Sequence, residues 1–170
     1  IFILFLTAEG EIFYLQERVG KFSKTFKIWK FATMVKNSPN IGSGDVTLRN
    51  DPRVLPFGRF LRISKINEIP QLINIIIGDM SIVGPRPHMI KHTEQYSEII
   101  KKYMVRQLVK PGITGAAQIR GFRGETKEIE EMEGRVKWDV WYIENWTFFL
   151  DINIIIRTVI NFFKGDEKAY

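Results

Sequence analysis

Arg62-Ile63-Ser64-Lys65-Ile66-Asn67-Glu68-Ile69-Pro70-Gln71-Leu72, and after it Gly78-Asp79-Met80-Ser81-Ile82-Val83-Gly84-Pro85-Arg86-Pro87, fix where the chain coils and where it stops. Proline fits a helix only in its first turn, so Pro70 predicts a helix that starts near Asn67 and runs to about Ile77. Glu68 then lies at the positive end of the helix dipole. Glu68 and Asp79 bracket a short apolar run, and Arg86 stands between two prolines that restrict its backbone. Carboxylates able to hold a divalent ion, beside a rigidly presented guanidinium, are what a site needs to bind and split a diphosphate.

Outward from this stretch, Ile12 to Gln16 and Phe26 to Phe31 are rich in aromatic and branched residues around Gly20 and a polar turn at Ser23-Lys24, which predicts a strand pair. Asn37 to Asp45 reads as a loop, and Asp51-Pro52 and Pro56-Phe57-Gly58 precede a short helix reaching Arg62. His88 to Gln107 has helical periodicity, Pro111-Gly112 ends it, and Thr114 to Ile119 reads as a short strand. Thr126 to Glu144 is charged and helix-favouring, and Trp146 to Phe163 is mostly apolar, interrupted by Asp151 and Arg157. The pattern predicts an α+β fold: a compact, mostly helical domain with a few short strands. Trp138, Trp141 and Trp146 fall where the last two helices meet, a composition that suits either core packing or an amphipathic helix in a membrane interface.

A chain of 170 residues, 45% hydrophobic and 26% charged, is enough for one domain with a real core. The net charge of +6 favours anionic partners: nucleotide sugars, lipid phosphates, a membrane surface or nucleic acid. No helix-turn-helix, RNP or zinc motif supports nucleic acid. The absence of cysteine excludes disulfides, thiolate metal sites and cysteine nucleophiles. There is no P-loop with its lysine and no Ser-His-Asp order, so ATP and serine hydrolysis drop out. His88 and His92, spaced i, i+4, could share a helix face and bind zinc, but no third ligand is evident and packing or surface histidines are the plainer reading.

Phe57-Gly58-Arg59-Phe60-Leu61-Arg62, Asn67-Glu68-Ile69-Pro70-Gln71-Leu72 and Gly78-Asp79-Met80-Ser81 through Gly84-Pro85-Arg86-Pro87 resemble the catalytic domain of bacterial sugar transferases, the monotopic polyprenyl-phosphate phosphoglycosyl transferases. Gln16-Glu17-Arg18-Val19-Gly20, Lys30-Phe31-Ala32-Thr33-Met34, Lys110-Pro111-Gly112-Ile113-Thr114-Gly115 and Gly121-Phe122-Arg123-Gly124-Glu125-Thr126 extend the similarity from about Glu11 to the end. The run from Pro87-His88 through Glu94-Gln95-Tyr96 to Arg123-Gly124-Glu125-Thr126 is most similar to enzymes that load glucose 1-phosphate onto undecaprenyl phosphate.

The resemblance implies transfer of a hexose 1-phosphate from a UDP-sugar to undecaprenyl phosphate with release of UMP, early in exopolysaccharide or related glycan synthesis. It implies Mg²⁺, a membrane surface and the cytoplasmic face of a bacterial inner membrane. It also implies that residues 1–10 are the stump of a membrane-entering helix with its linker, and 11–170 the catalytic domain. On the matched motifs, Glu68 carries the chemistry and holds Mg²⁺, with Asp79 as a second metal ligand. Arg86 binds phosphate oxygens, and Lys30, Arg18, Lys110 and Arg123 contact the diphosphate or nucleotide. Arg59 and Arg62, one helical turn apart, face the same phosphate, the lipid surface or solvent. Ala32 stands where the family has an arginine, and Ala116 where it has a tryptophan.

Asn67 is the largest departure, because the family's helix start bears an Asp-Glu pair whose aspartate is the nucleophile. An amide is a poor nucleophile. Either Glu68 acts itself, as nucleophile or as base and metal ligand for direct attack by the lipid phosphate, or the chain is an inactive binding module at the membrane surface. Asn67 as a helix N-cap is compatible with both.

Overall fold

The computed structural model describes residues 11–36, 51–122 and 128–164. Strands β1 (Phe13–Val19) and β2 (Thr25–Phe31) pair antiparallel, with Tyr14 opposite Lys30, Gln16 opposite Ile28 and Arg18 opposite Phe26. Alternation turns Tyr14, Gln16, Arg18, Ile28 and Lys30 to the more buried face. The hairpin turns through a 3₁₀ segment, Lys21–Ser23, in which Phe22 and Ser23 take left-handed φ angles of 55° and 61°.

Helix α1 (Pro56–Ile63) starts on a proline whose missing N–H has no partner to lose there. It lies so close to the segment after β2 that a Cβ on Gly58 would stand 2.3 Å from the Thr33 carbonyl oxygen. The helix expected from Asn67 to Ile77 is divided. A 3₁₀ turn spans Ile66–Glu68, and α2 covers Gln71–Ile76 with Pro70 at its N-cap position. Pro70 cannot donate to a carbonyl in the preceding turn, so that turn tightens and the α-helix begins after it. Asn67 therefore caps no helix: the left-handed Lys65 precedes the 3₁₀ turn, and Pro70 precedes α2. Nor does Glu68 sit in the first turn of an α-helix.

Strand β3 (Ser81–Val83) pairs in parallel with β4 (Gly112–Thr114). A Cβ on Gly112 would come within 2.2 Å of the Gly84 nitrogen, so glycine permits the approach. The strand expected over Thr114 to Ile119 thus ends where it was expected to begin, and a 3₁₀ turn at Gln118–Arg120 follows. The expected helix from His88 to Gln107 is also shorter. Helix α3 spans Ile90–Ile99, the chain turns at left-handed Lys102, and Tyr103–Leu108 is 3₁₀.

Helices α4 (Ile129–Glu144) and α5 (Phe148–Lys164) close the fold. One core joins α3, the 103–108 turn and α4 through Tyr96, Ile100, Tyr103, Met132, Val136 and Val140; the other joins Val83, Ala116, Tyr142 and Ile154. The architecture is α+β, as the sequence predicts. Among the described residues no helix is long and apolar enough to cross a membrane.

Candidate active site

The more buried face of the hairpin presents Arg18 and Lys30, the 3₁₀ turn brings Glu68, and the segment after β3 brings Arg86. Arg86 donates to both Glu68 oxygens, through Nη1 to Oε2 at 3.3 Å and through Nη2 to Oε1. Lys30 Nζ lies 3.7 Å from Glu68 Oε1. Arg18 donates to Gln16 Oε1 at 2.6 Å and to the Pro87 carbonyl at 3.4 Å. Arg62 approaches from α1, with Nε donating to Thr33 Oγ1 at 2.9 Å. Arg86 and Lys30 thus pair with the Glu68 carboxylate, and the charges of Arg18 and Arg62 gather beside them.

The crowding shifts their protonation. Burial, with Arg18, Arg86 and Arg62 adding repulsion, pushes the Lys30 ammonium down to about 7 against the pull of Glu68. Burial and the Arg86 charge bring Arg18 down to about 10. Arg86 moves the other way, because the Glu68 carboxylate it grips favours its charged form. Like charges gathered with little water need an anion to offset them. Among the described residues two polar groups are also left over: Arg18 Nε is buried without a partner there, and so are both ends of the Gln71 amide. Gln71 lies one turn beyond Glu68 along the same coil.

The other sequence candidates separate. Arg59 is on the exposed side of α1. Asp79 accepts from Asn74 Nδ2 at 3.3 Å in the turn after α2, and Asn74 is itself fixed by the Trp29 N–H and the Lys27 carbonyl. Lys110 reaches the same turn, with Nζ 3.6 Å from where a Cβ on Gly78 would stand. Arg123 lies outside the described residues. Asn67 is half-buried in the turn that carries Glu68.

His88 and His92 do not share a helix face, because His88 precedes α3. His88 Nδ1 faces the Tyr103 hydroxyl at 2.6 Å and Arg106 Nη1 at 2.7 Å, while Arg135 Nη1 lies 3.3 Å from Nε2. His92 rests edge-on against Tyr96. Among the described residues no three His, Asp or Glu side chains gather as a metal site. A divalent ion at Glu68 would have a single protein carboxylate, shared with Arg86 and Lys30, and would need substrate phosphates for its further oxygens.

Behind Arg86 lies a cluster that sequence reasoning missed. Arg106 donates from Nε to Asp139 Oδ2 at 2.9 Å and from Nη2 to the Arg86 carbonyl at 2.9 Å, and both Arg106 and Asp139 are buried. Its signal in the sequence is phase: Arg135 and Asp139 recur with Met132, Val136 and Val140 on the apolar stripe of α4.

The family profile described as "Bacterial sugar transferase" matches residues 1–165. A UDP-glucose:undecaprenyl-phosphate glucose-1-phosphate transferase of Escherichia coli (strain K12) is 48% identical over 167 residues, covering 97% of this chain and 35% of that protein. A protein of the same name from Klebsiella pneumoniae is 45% identical over 168 residues, covering 96% and 35%. An undecaprenyl-phosphate galactose phosphotransferase of Salmonella typhimurium (strain LT2) is 36% identical over 163 residues, covering 88% and 33%. The chain spans about a third of the length of these curated relatives.

Proposed function

The chain belongs to the bacterial sugar transferase family, and on that premise we propose that it transfers a hexose 1-phosphate, glucose 1-phosphate in the first place, from a UDP-sugar to undecaprenyl phosphate, releasing UMP. The observation that carries this reading is the gathering of Arg18, Arg62, Lys30 and Arg86 where the last two pair with Glu68. A diphosphate supplies the negative charge that this set lacks, and phosphoryl transfer depends mainly on positioning and charge stabilisation. The orphaned Arg18 Nε and Gln71 amide are polar groups that a bound nucleotide diphosphate can satisfy. The names of similar proteins support the donor and acceptor, and glucose is the sugar in the two most extensive matches described.

With Asn67 unable to form a phospho-aspartyl intermediate, the reaction is a direct displacement. An oxygen of the lipid phosphate attacks the phosphorus that bears the hexose, and the bond from that phosphorus to the oxygen of the nucleotide phosphate breaks. The electron pair leaves with UMP. Arg86 and Lys30 stabilise the charge on the transferring group, and Glu68 holds both cations in place. Glu68 would be the residue to hold Mg²⁺, which would supply positive charge to offset that of the phosphates. The reaction begins exopolysaccharide or related glycan synthesis at the cytoplasmic face of a bacterial inner membrane, where the exposed apolar face of α5 lies against lipid.

A second reading is favoured by Asn67 itself: a membrane-surface module that binds the same ligands without chemistry. UMP release from UDP-glucose, with undecaprenyl phosphate and Mg²⁺ in detergent, decides between them. The direct route predicts turnover that Glu68→Gln lowers by about 10²-fold or more. Turnover confined to Asn67→Asp means the inactive module. No turnover in any form, across several UDP-sugars, defeats the transferase reading.

A further inference from the structure

Helix α5 turns Phe148, Phe149, Ile152, Ile156, Val159 and Phe163 outward; at 100° per residue they cover an arc about 100° wide. The opposite side docks through Ile154, through Thr158 against Thr114 at 2.6 Å, and through Asn161, which donates to the Ile119 carbonyl at 3.2 Å. Past Phe149 the helix surface runs through Ile160 and Asn153 to Lys164 and Arg157, so Arg157 stands about 80° beyond the arc, on the flank toward the docked side.

Arg157 lies one turn before Asn161, which places it beside the 118–120 turn and Arg120. Arg120 is fixed from two directions. Its guanidinium carbon stands 3.7 Å from the ring centroid of Trp138 and 5.2 Å from that of Trp141, and its Nη1 donates to the Ala116 carbonyl at 3.1 Å. Among the described residues, neither Arg120 nor Arg157 has a carboxylate within salt-bridge distance. The Arg157 charge adds to desolvation in pulling the Arg120 guanidinium below its ordinary value, so the two positive charges feel each other.

We propose that Arg120 and Arg157 form a seat for the phosphate of an anionic phospholipid headgroup at the edge of the apolar face of α5. An amphipathic helix buries its apolar arc about 5–10 Å into the headgroup and acyl boundary. Cations on the flank then lie level with lipid phosphates, and two guanidinium forks suit the oxygens of one phosphate. Trp138 and Trp141 hold one fork in place, so less side-chain entropy is lost on binding. The seat is separate from the cations around Glu68, and the proposal rests on the membrane reading above.

The test uses the full chain, with vesicle sedimentation on phosphatidylcholine and on phosphatidylcholine with 30% phosphatidylglycerol. A third vesicle carries undecaprenyl phosphate in phosphatidylcholine, and free inorganic phosphate is added as a competitor. Wild type should prefer the phosphatidylglycerol vesicles. Arg157→Gln and Arg120→Gln should each weaken that binding about fivefold, with phosphatidylcholine binding and detergent activity unchanged. Arg157, which packs on no aromatic ring in this structure, keeps the test valid if Arg120→Gln disturbs the fold. Unchanged partition of both variants onto phosphatidylglycerol overturns the seat while leaving the membrane reading intact. So does loss of binding confined to the undecaprenyl phosphate vesicles, or full competition by millimolar phosphate. If wild type sediments with no vesicle, the membrane reading fails and the seat fails with it.

Discussion

Two charged clusters stand back to back across Pro85-Arg86-Pro87, and they differ in burial and in how their charge is balanced. The side chain of Arg86 belongs to the front cluster, where Lys30 also pairs with Glu68 and the charges of Arg18 and Arg62 add to theirs. Its backbone carbonyl belongs to the rear one, where Arg106 couples it to Asp139 and His88. The front gathers four cations and is partly exposed, while the rear sets Arg106 and Arg135 against Asp139 with all three side chains buried. A site that must attract a polyanion carries unrelieved repulsion, and a buried network bonded to the Arg86 carbonyl supplies the rigidity that this repulsion would otherwise erode.

The comparison breaks most easily at the rear. Asp139→Leu leaves Arg106 buried without its carboxylate and should lower unfolding stability by about 3–5 kcal/mol in urea titration. Arg106→Met combined with Asp139→Leu should recover much of that loss, because two well-packed apolar side chains bury no charge. A single-variant loss under about 1 kcal/mol would mean that the rear pair supports nothing.

At the front, the same kind of removal should act on binding instead. Lys30→Met deletes a cation that burial and three arginines already penalise, so stability should hold or rise. UDP affinity at pH 6.5, where the lysine still carries substantial charge, should fall about tenfold, roughly 1.4 kcal/mol. Calorimetric titration with UDP beside a urea melt gives both numbers. A variant that loses stability and keeps its affinity would reverse the roles assigned to the two clusters.

Glu68 and Arg86 were legible in the sequence because proline and glycine fix the backbone around them, while Lys30 and Arg18 were legible only through motifs that resemble the family. Glu68, Arg86, Lys30 and Arg18 could be named before any fold was known. The rear was not, because Arg106 and Asp139 are far apart in the chain and look like ordinary surface charges until α4 is phased. Only then do Arg135 and Asp139 fall among the buried Met132, Val136 and Val140. Helix lengths failed for a related reason. Periodicity carries through Ile100 to Lys102, but the left-handed turn at Lys102 answers to tertiary packing, which seats Tyr103 in the core. Arg62 and Arg59 show the same limit: one turn apart on paper, yet only Arg62 is drawn in by Thr33.

The finest test of the rear cluster is its response to acid. His88 is buried against the charges of Arg106 and Arg135, with those of Arg18 and His92 also felt, and the Tyr103 hydroxyl meets the same ring nitrogen as Arg106. Burial first, and then these charges, depress its pKa well below the usual 6.5. The unfolded chain therefore takes a proton on His88 as the pH falls through about 6.5 while the folded chain does not, so stability present at neutral pH is lost below that value. The slope reaches at most about 1.4 kcal/mol per pH unit, and between pH 7.5 and 6 the loss should stay under about 1 kcal/mol. His88→Gln keeps a polar group beside Arg106 and cannot titrate, so its stability should change less over that interval by this amount. Identical pH profiles for the two proteins would place the imidazole in water, and the rear cluster would no longer be the closed counterpart of the front.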